Sequence, residues 1–286
     1  TWRISGPALI QLQNTSDALV RQTSVRNSPC AGIRLEHGHD NRIEDTAIEA
    51  VRGHGIYVFG EADSTIANVT VRQAGYATTG SSGDGILVDG SSNVDVENSL
   101  VEGSFRYGLH PGDALNRGGV WHNNVSRDNG NNGYHFCWDN FDILAAGNLL
   151  ENNGRHGVGG LGLGGPFGDM FNTVSGNLIR GNARCGIEIN GGSDNFLIGN
   201  TIVDNSQLAI GRFSGIALAD AHYVVVSGNR SGSDASPRQR FGIEEFVGAN
   251  DNLIVDNDVA GNRDGGISVT GATTTVTANA GSVVRA

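Results

Sequence analysis

The sequence predicts an all-β chain folded as a single-domain right-handed parallel β-helix, a solenoid of about ten coils with three short strands per coil. Three observations predict it. A glycine followed by alternating apolar and variable residues recurs about every 26 residues, at Gly32, Gly55, Gly85, Gly108, Gly133, Gly157, Gly186, Gly215, Gly242 and Gly266. Such an internal period marks repeats that bury an apolar face only by stacking on their neighbours. The glycine segments, such as Gly186-Ile187-Glu188-Ile189, show the period-two pattern of a half-buried strand and no helical spacing. Finally, Asn98, Asn124, Asn148, Asn177, Asn200, Asn229 and Asn257 return once per coil. They are expected at one corner, where left-handed backbone and side-chain hydrogen bonds turn the chain.

Taken in order, residues 1–30 read as an imperfect first coil, with Ala8-Leu9-Ile10 and Ala18-Leu19-Val20 as its apolar pieces. Residues 31–270 form the regular coils and residues 271–286 a C-terminal coil or cap. A second strand begins near an Asn in most repeats, as at Asn172-Thr173-Val174, and a third apolar piece follows the next Asn. No linker or shift in composition interrupts the repeat, so one elongated domain, 1–286, is expected. Forty-four glycines and five prolines suit a turn-rich solenoid without a collagen period.

The 286 residues carry a formal charge of −11 and contain arginine but no lysine. Nucleic acid is therefore not an expected partner, and Schiff-base chemistry is excluded. No apolar run is long enough for a membrane span, so membrane insertion is not expected. The chain begins at Thr1 with neither an initiator Met nor a signal-like segment, which suggests a processed product; a secreted or periplasmic location is expected. Three cysteines leave at least one unpaired. Cys137 and Cys185 lie two coils apart, about 10 Å at the rung spacing of a sheet, too far for a disulfide. Free thiols argue against a disulfide-dependent scaffold.

If the residues one and three after each glycine point inward, those two and four after it point outward. The first outward row then reads Arg34, Tyr57, Leu87, His110, His135, Gly159, Glu188, Ala217, Glu244 and Ser268. The second contains Asp89, Gly112, Cys137, Leu161 and Asn190, and the residue before the glycine contributes Asp84, Tyr107, Asn132, His156 and Cys185. Titratable groups thus concentrate on one face of the middle coils, where an idle strand face more often carries Thr, Ser or Val. Asp113 and Asp139 fall in adjoining turns. Long repeats add residues before the glycine strand (73–83, 204–214, 231–241) or after it (160–171). These insertions are expected to wall a groove along that strand, suited to an oligo- or polysaccharide.

The segment Arg106-Tyr107-Gly108-Leu109-His110-Pro111-Gly112 resembles the Y-G-F-D-P-H signature of the mannuronan C5-epimerases, β-helical enzymes that convert mannuronate to guluronate in alginate. Downstream, Asn152-Asn153-Gly154-Arg155-His156-Gly157-Val158 is similar to their N-D-R-H-G-F stretch. The resemblance spans about 60 residues and implies that Tyr107 and His156 are the catalytic Tyr and His. His110 stands where the family has the Asp of D-P-H, Gly112 where it has the His, and His135 and Cys137 where it presents an acidic residue.

Proton removal α to a uronate carboxylate needs a base, a neutralising group and a second acid. Tyr107, His156, His110 and His135 are the candidate catalytic residues for a polyuronate C5-epimerase or β-elimination lyase, with Arg155 or Arg184 at the carboxylate. Substrate contacts are expected from Asp84, Asp89, Asp113, Asp139, Arg155, Arg184, Glu188 and Asn190. Two other classes stay open. A carboxylate pair among Asp84, Asp89, Asp113, Asp139 and Glu188 could serve a glycoside hydrolase or glycosyl transfer. A non-catalytic glycan-binding, adhesin or metal-handling β-helix could use His110, His135 and His156 with Cys137 as soft ligands. Catalysis is expected to need no metal, although calcium is possible.

Overall fold

A computed structural model of the chain describes residues 7–76, 83–112, 114–162, 168–233 and 236–285. All ten glycine strands lie side by side in one 12-stranded sheet, flanked by Ala8–Gln13 at one end and Val283–Arg285 at the other. A second sheet of 11 strands runs from Leu19–Arg21 to Thr275–Thr277, and a third of nine from Ser24–Arg26 to Arg230–Ser231. Pairing between coils is parallel, as at Ile33↔Ile56 and Ile187↔Ile216. A two-stranded sheet, Asn116–Arg117 with Asn140–Phe141, adds a local corner in the middle coils. The chain is thus a parallel β-helix with three strands in most coils.

The residue after each glycine builds the core. Ile33, Ile56, Ile86, Leu109, Tyr134, Val158, Ile187, Ile216, Ile243 and Ile267 stack coil on coil and are buried. None of the ten repeat glycines has positive φ. Their need for glycine is steric: a Cβ on Gly32 would lie 2.6 Å from the Gly55 carbonyl oxygen and 2.7 Å from Ile48 Cγ2 of the third sheet. The period therefore marks where the first and third sheets converge too closely for any side chain.

The asparagine expectation requires correction. Only Asn98 of the seven has positive φ; the left-handed position before the others is filled by Asn123, Gly147, Gly176, Gly199, Gly228 and Asp256. Asn124, Asn148, Asn177, Asn200, Asn229 and Asn257 instead turn inward and are buried. Each side-chain amide donates to the next coil's Oδ1, at 3.1 Å from Asn124 to Asn148 and 3.0 Å from Asn148 to Asn177. The same amides also donate to backbone carbonyls, as from Asn148 to Trp121 at 2.9 Å. This ladder satisfies polar groups that burial would otherwise penalise. A residue beside the left-handed corner, not at it, has its side chain aimed along the axis.

The three cysteines form no disulfide, and among the described residues no helix is long and apolar enough to cross a membrane. The insertions 204–214 and 231–241 lean on each other, with Gly211 N–H donating to Arg238 O and Arg240 N–H to Phe213 O at 2.8 Å. Parts of the insertions 73–83, 160–171 and 231–241 lie outside the described residues.

Candidate active site

The strand register aligns the outward row as spaced in the sequence: Tyr57 with Leu87, Leu87 with His110, His135 with Gly159, Glu188 with Ala217 and Ala217 with Glu244. Leu161 departs from it. A register shift between Val158 and Leu161 leaves Gly160 at φ 80° and pairs Leu161 with the inward Ile189, which moves Leu161 into the core. The outward row is also less open than expected, because His110, His135, Ala217 and Glu244 are all buried. Facing out of the coil and facing solvent are different things here.

One cluster gathers around Asp84, whose side chain is fully buried. His110 Nδ1 lies 3.1 Å from Asp84 Oδ2 and His54 Nδ1 3.3 Å from the same oxygen. The Tyr107 backbone N–H donates to Oδ1 at 3.2 Å. Burial opposes the Asp84 charge, but His110 and His54 outweigh it and hold the carboxyl well below its ordinary range. Asp84, expected at the substrate, is buried and has both oxygens engaged within the protein. His54 went unassigned in the sequence, although it stands one residue before Gly55, the same place in its coil as Asp84 and Tyr107.

Above this carboxylate sit three rings. Tyr107 stacks on His135 with centroids 3.8 Å apart and an interplanar angle of 20°, and meets His110 edge-on at 4.8 Å. The Arg106 guanidinium lies 4.5 Å from the Tyr107 ring centre. Burial raises the Tyr107 phenol above its ordinary value, so it is protonated at neutral pH. Burial and then the neighbouring His110 push His135 well below the ordinary imidazole value. His135 Nδ1 lies 2.9 Å from Asn132 Nδ2 and 3.1 Å from Gly159 O.

A second cluster begins two coils beyond Tyr107. His156 is buried, and neither ring nitrogen finds a hydrogen-bond partner within the protein. Its Nε2 lies 3.4 Å from Glu188 Oε2 without hydrogen-bond geometry. Burial, then Arg155 and Arg184, lower His156 to about 3. Burial raises Glu188, and the same two arginines pull it back. Asn132 joins the clusters, since its Oδ1 accepts the His156 backbone N–H at 3.1 Å while its Nδ2 faces His135. Gly159 lies between them, and a Cβ there would fall 2.5 Å from Asn132 Nδ2.

The other expected contacts scatter. Asp89 is buried and accepts from the Tyr57 hydroxyl at 3.4 Å, Asn190 is exposed, and Asp139 is half-buried at a corner with φ 60°. Asp113 lies outside the described residues. Among the described residues the one group of three or more possible ligands is His110, His135 and Cys137, so His156 is not part of a metal set. No three carboxylates converge there, and the donor set does not fit calcium. Trp138 also went unassigned; it is half exposed beside Cys137, in the left-handed region at φ 62°.

The chain matches the family model "Right handed beta helix region" over residues 8–165 and 134–280, and it belongs to that family. By sequence, no curated protein matches it. Among solved structures it resembles the A-module of mannuronan C-5 epimerase AlgE4 from Azotobacter vinelandii at 17% identity and a TM-score of 0.66, covering 93% of this chain and 88% of that one. The periplasmic alginate epimerase AlgG aligns at 14% identity and a TM-score of 0.58, covering 92% of this chain and 74% of that one. The enzymatically active domain of tailspike protein 2 from bacteriophage CBA120 aligns at 12% identity and a TM-score of 0.53, covering 86% of this chain and 43% of that one. At these identities the likeness is one of fold.

Proposed function

We propose that this chain is a secreted or periplasmic enzyme that modifies a polysaccharide, and that it acts as a polyuronate C5-epimerase or β-elimination lyase. The observation that carries the reading is the protonated Tyr107, packed between Arg106 and His135, standing two rungs from a neutral His156 flanked by arginines. Two of the similar structures are a mannuronan and an alginate epimerase, which supports the same substrate class.

The two rungs separate the backbones by about 10 Å; Asn132 and His135 stand on the rung between, and Gly159 leaves the outward position beside His156 without a side chain. His156 takes the C5 proton, and the C–H electron pair moves into the C5–C6 bond to give an enolate whose oxygens Arg155 and Arg184 neutralise. Burial is the main cause of the lowered His156 value; pairing those arginines with the substrate carboxylate would offset only the lesser, charge-driven part. Tyr107 then donates its phenol proton. Delivered to the opposite face of C5, the proton gives the epimer. If the electron pair instead expels the O4 substituent, a C4–C5 double bond forms and Tyr107 protonates the leaving oxygen.

Hydrolysis by a carboxylate pair is the second reading, favoured by the raised Glu188. Asp84 is a poor partner for it, because both of its oxygens are already engaged by His110, His54 and the Tyr107 backbone N–H. Incubation with polymannuronate, polygalacturonate and neutral glycans separates these outcomes. Solvent deuterium at C5 marks epimerisation, unsaturated-uronate absorbance marks elimination, and new reducing ends alone mark hydrolysis. Tyr107→Phe is expected to lower turnover by about 10²- to 10⁴-fold with an unchanged fold. The reading fails if no uronate polymer is bound, exchanged or cleaved.

A further inference from the structure

We infer that His110, His135 and Cys137 form a site for a borderline-soft divalent ion, zinc in the first instance. Their donor atoms lie within 4.8 Å of one another. Tetrahedral zinc with Zn–N near 2.0 Å and Zn–S near 2.3 Å needs donor separations of about 3.3–3.6 Å. Closure therefore asks side chains to move by little more than about 1 Å.

The second observation is the state of His110. Its side chain is buried, Nδ1 is engaged by Asp84, and Nε2 has no hydrogen-bond partner within the protein. A buried imidazole nitrogen without a partner is costly, whereas a metal-bound histidine characteristically gives its other nitrogen to a carboxylate, which fixes the tautomer and strengthens the ligand. His54, on the far side of Asp84, fixes that carboxylate in turn. His135 shares the arrangement in the tautomer whose Nδ1–H donates to Gly159 O, which leaves the Nε2 lone pair to give. Cys137 supplies sulfur and is half-buried at the rim.

Two imidazoles and one thiolate with no fourth protein ligand in the group make an open site, the arrangement of a zinc that also meets a water or substrate oxygen. The donors select against calcium and magnesium, which take oxygen. Ion binding does not rest on the polysaccharide reading. If both hold, the ion would sit beside Tyr107 while Arg155 and Arg184 keep the substrate carboxylate.

The test is a titration of chelator-treated full-length protein with zinc and, separately, with cobalt(II). One equivalent of zinc per chain is expected, together with a thiolate-to-cobalt charge-transfer band that 100-fold excess calcium does not remove. Cys137→Ser, checked for fold by circular dichroism, is expected to abolish the band. Asp84→Asn is expected to weaken zinc by about 10–100-fold. The inference is overturned if zinc fails to bind stoichiometrically, if calcium displaces it, or if Cys137→Ser and His135→Gln both bind zinc like the parent. These readouts involve no glycan, so loss of the enzymatic reading leaves them standing, and the reverse.

Discussion

In the first cluster His110 gives Nδ1 to a buried carboxylate whose same oxygen lies 3.3 Å from His54 Nδ1. In the second cluster His156 is equally buried, yet neither of its ring nitrogens is hydrogen-bonded by the protein, and its nearest acid stands off at 3.4 Å. The first imidazole is fixed by its neighbours before any ligand arrives. The second has both ring nitrogens without a hydrogen-bond partner in the protein, where the first has only Nε2. Asn132 links the second histidine to His135 on the coil between: its Oδ1 accepts the His156 backbone N–H and its Nδ2 lies 2.9 Å from His135 Nδ1.

The widest separation between the two should appear in stability. His110→Leu leaves the Asp84 charge buried without its main partner and is expected to cost about 3 kcal/mol in denaturant unfolding. His156→Leu removes a polar ring without breaking a side-chain hydrogen bond and is expected to be neutral or stabilising. Equal losses in both variants would erase the contrast.

Acid should separate them next. His156 has a folded value of about 3, below the ordinary 6.5, so its contribution is complete above about 6.5 and is lost as the pH falls toward 3. Between pH 7 and 5 that amounts to about 2 kcal/mol. His156→Gln is expected to flatten this part of the stability profile, and an unchanged profile would place the acid sensitivity elsewhere.

The bridge can be broken from Gly159. Gly159→Ala drives a Cβ against Asn132 Nδ2 and should displace the amide from both halves, at about 1–2 kcal/mol. Wild-type melting and turnover would show that the halves act without the bridge. The smallest effect is expected at the rim, where Trp138→Ala should weaken polysaccharide binding by about 1 kcal/mol, roughly fivefold, without altering the melt. Unchanged affinity would remove Trp138 as a sugar platform.

Much of this architecture was legible in advance because a solenoid repeats one steric problem. The glycine that lets two sheets converge must recur with every coil, and the outward row follows from counting two residues at a time. His54 was equally legible by position, one residue before Gly55 and beside Tyr57 of its own coil. The corner asparagines were misread because composition reports which residues gather at a turn, while φ decides which of two neighbours takes the left-handed place. Leu161 was misassigned because a single extra residue at Gly160 reverses every side chain after it.

The sequence by itself determined the period, the three strands of most coils, the apolar column and the placement of Tyr107, His110, His135 and His156 along one sheet. Those follow from local chemistry repeated at fixed spacing. Only the tertiary structure decided that Asp84 faces His110 and not solvent, that the outward row is covered, and that Cys137 approaches two histidines from neighbouring coils. Burial and the distance between rungs depend on everything stacked around a residue, and no local spacing encodes them.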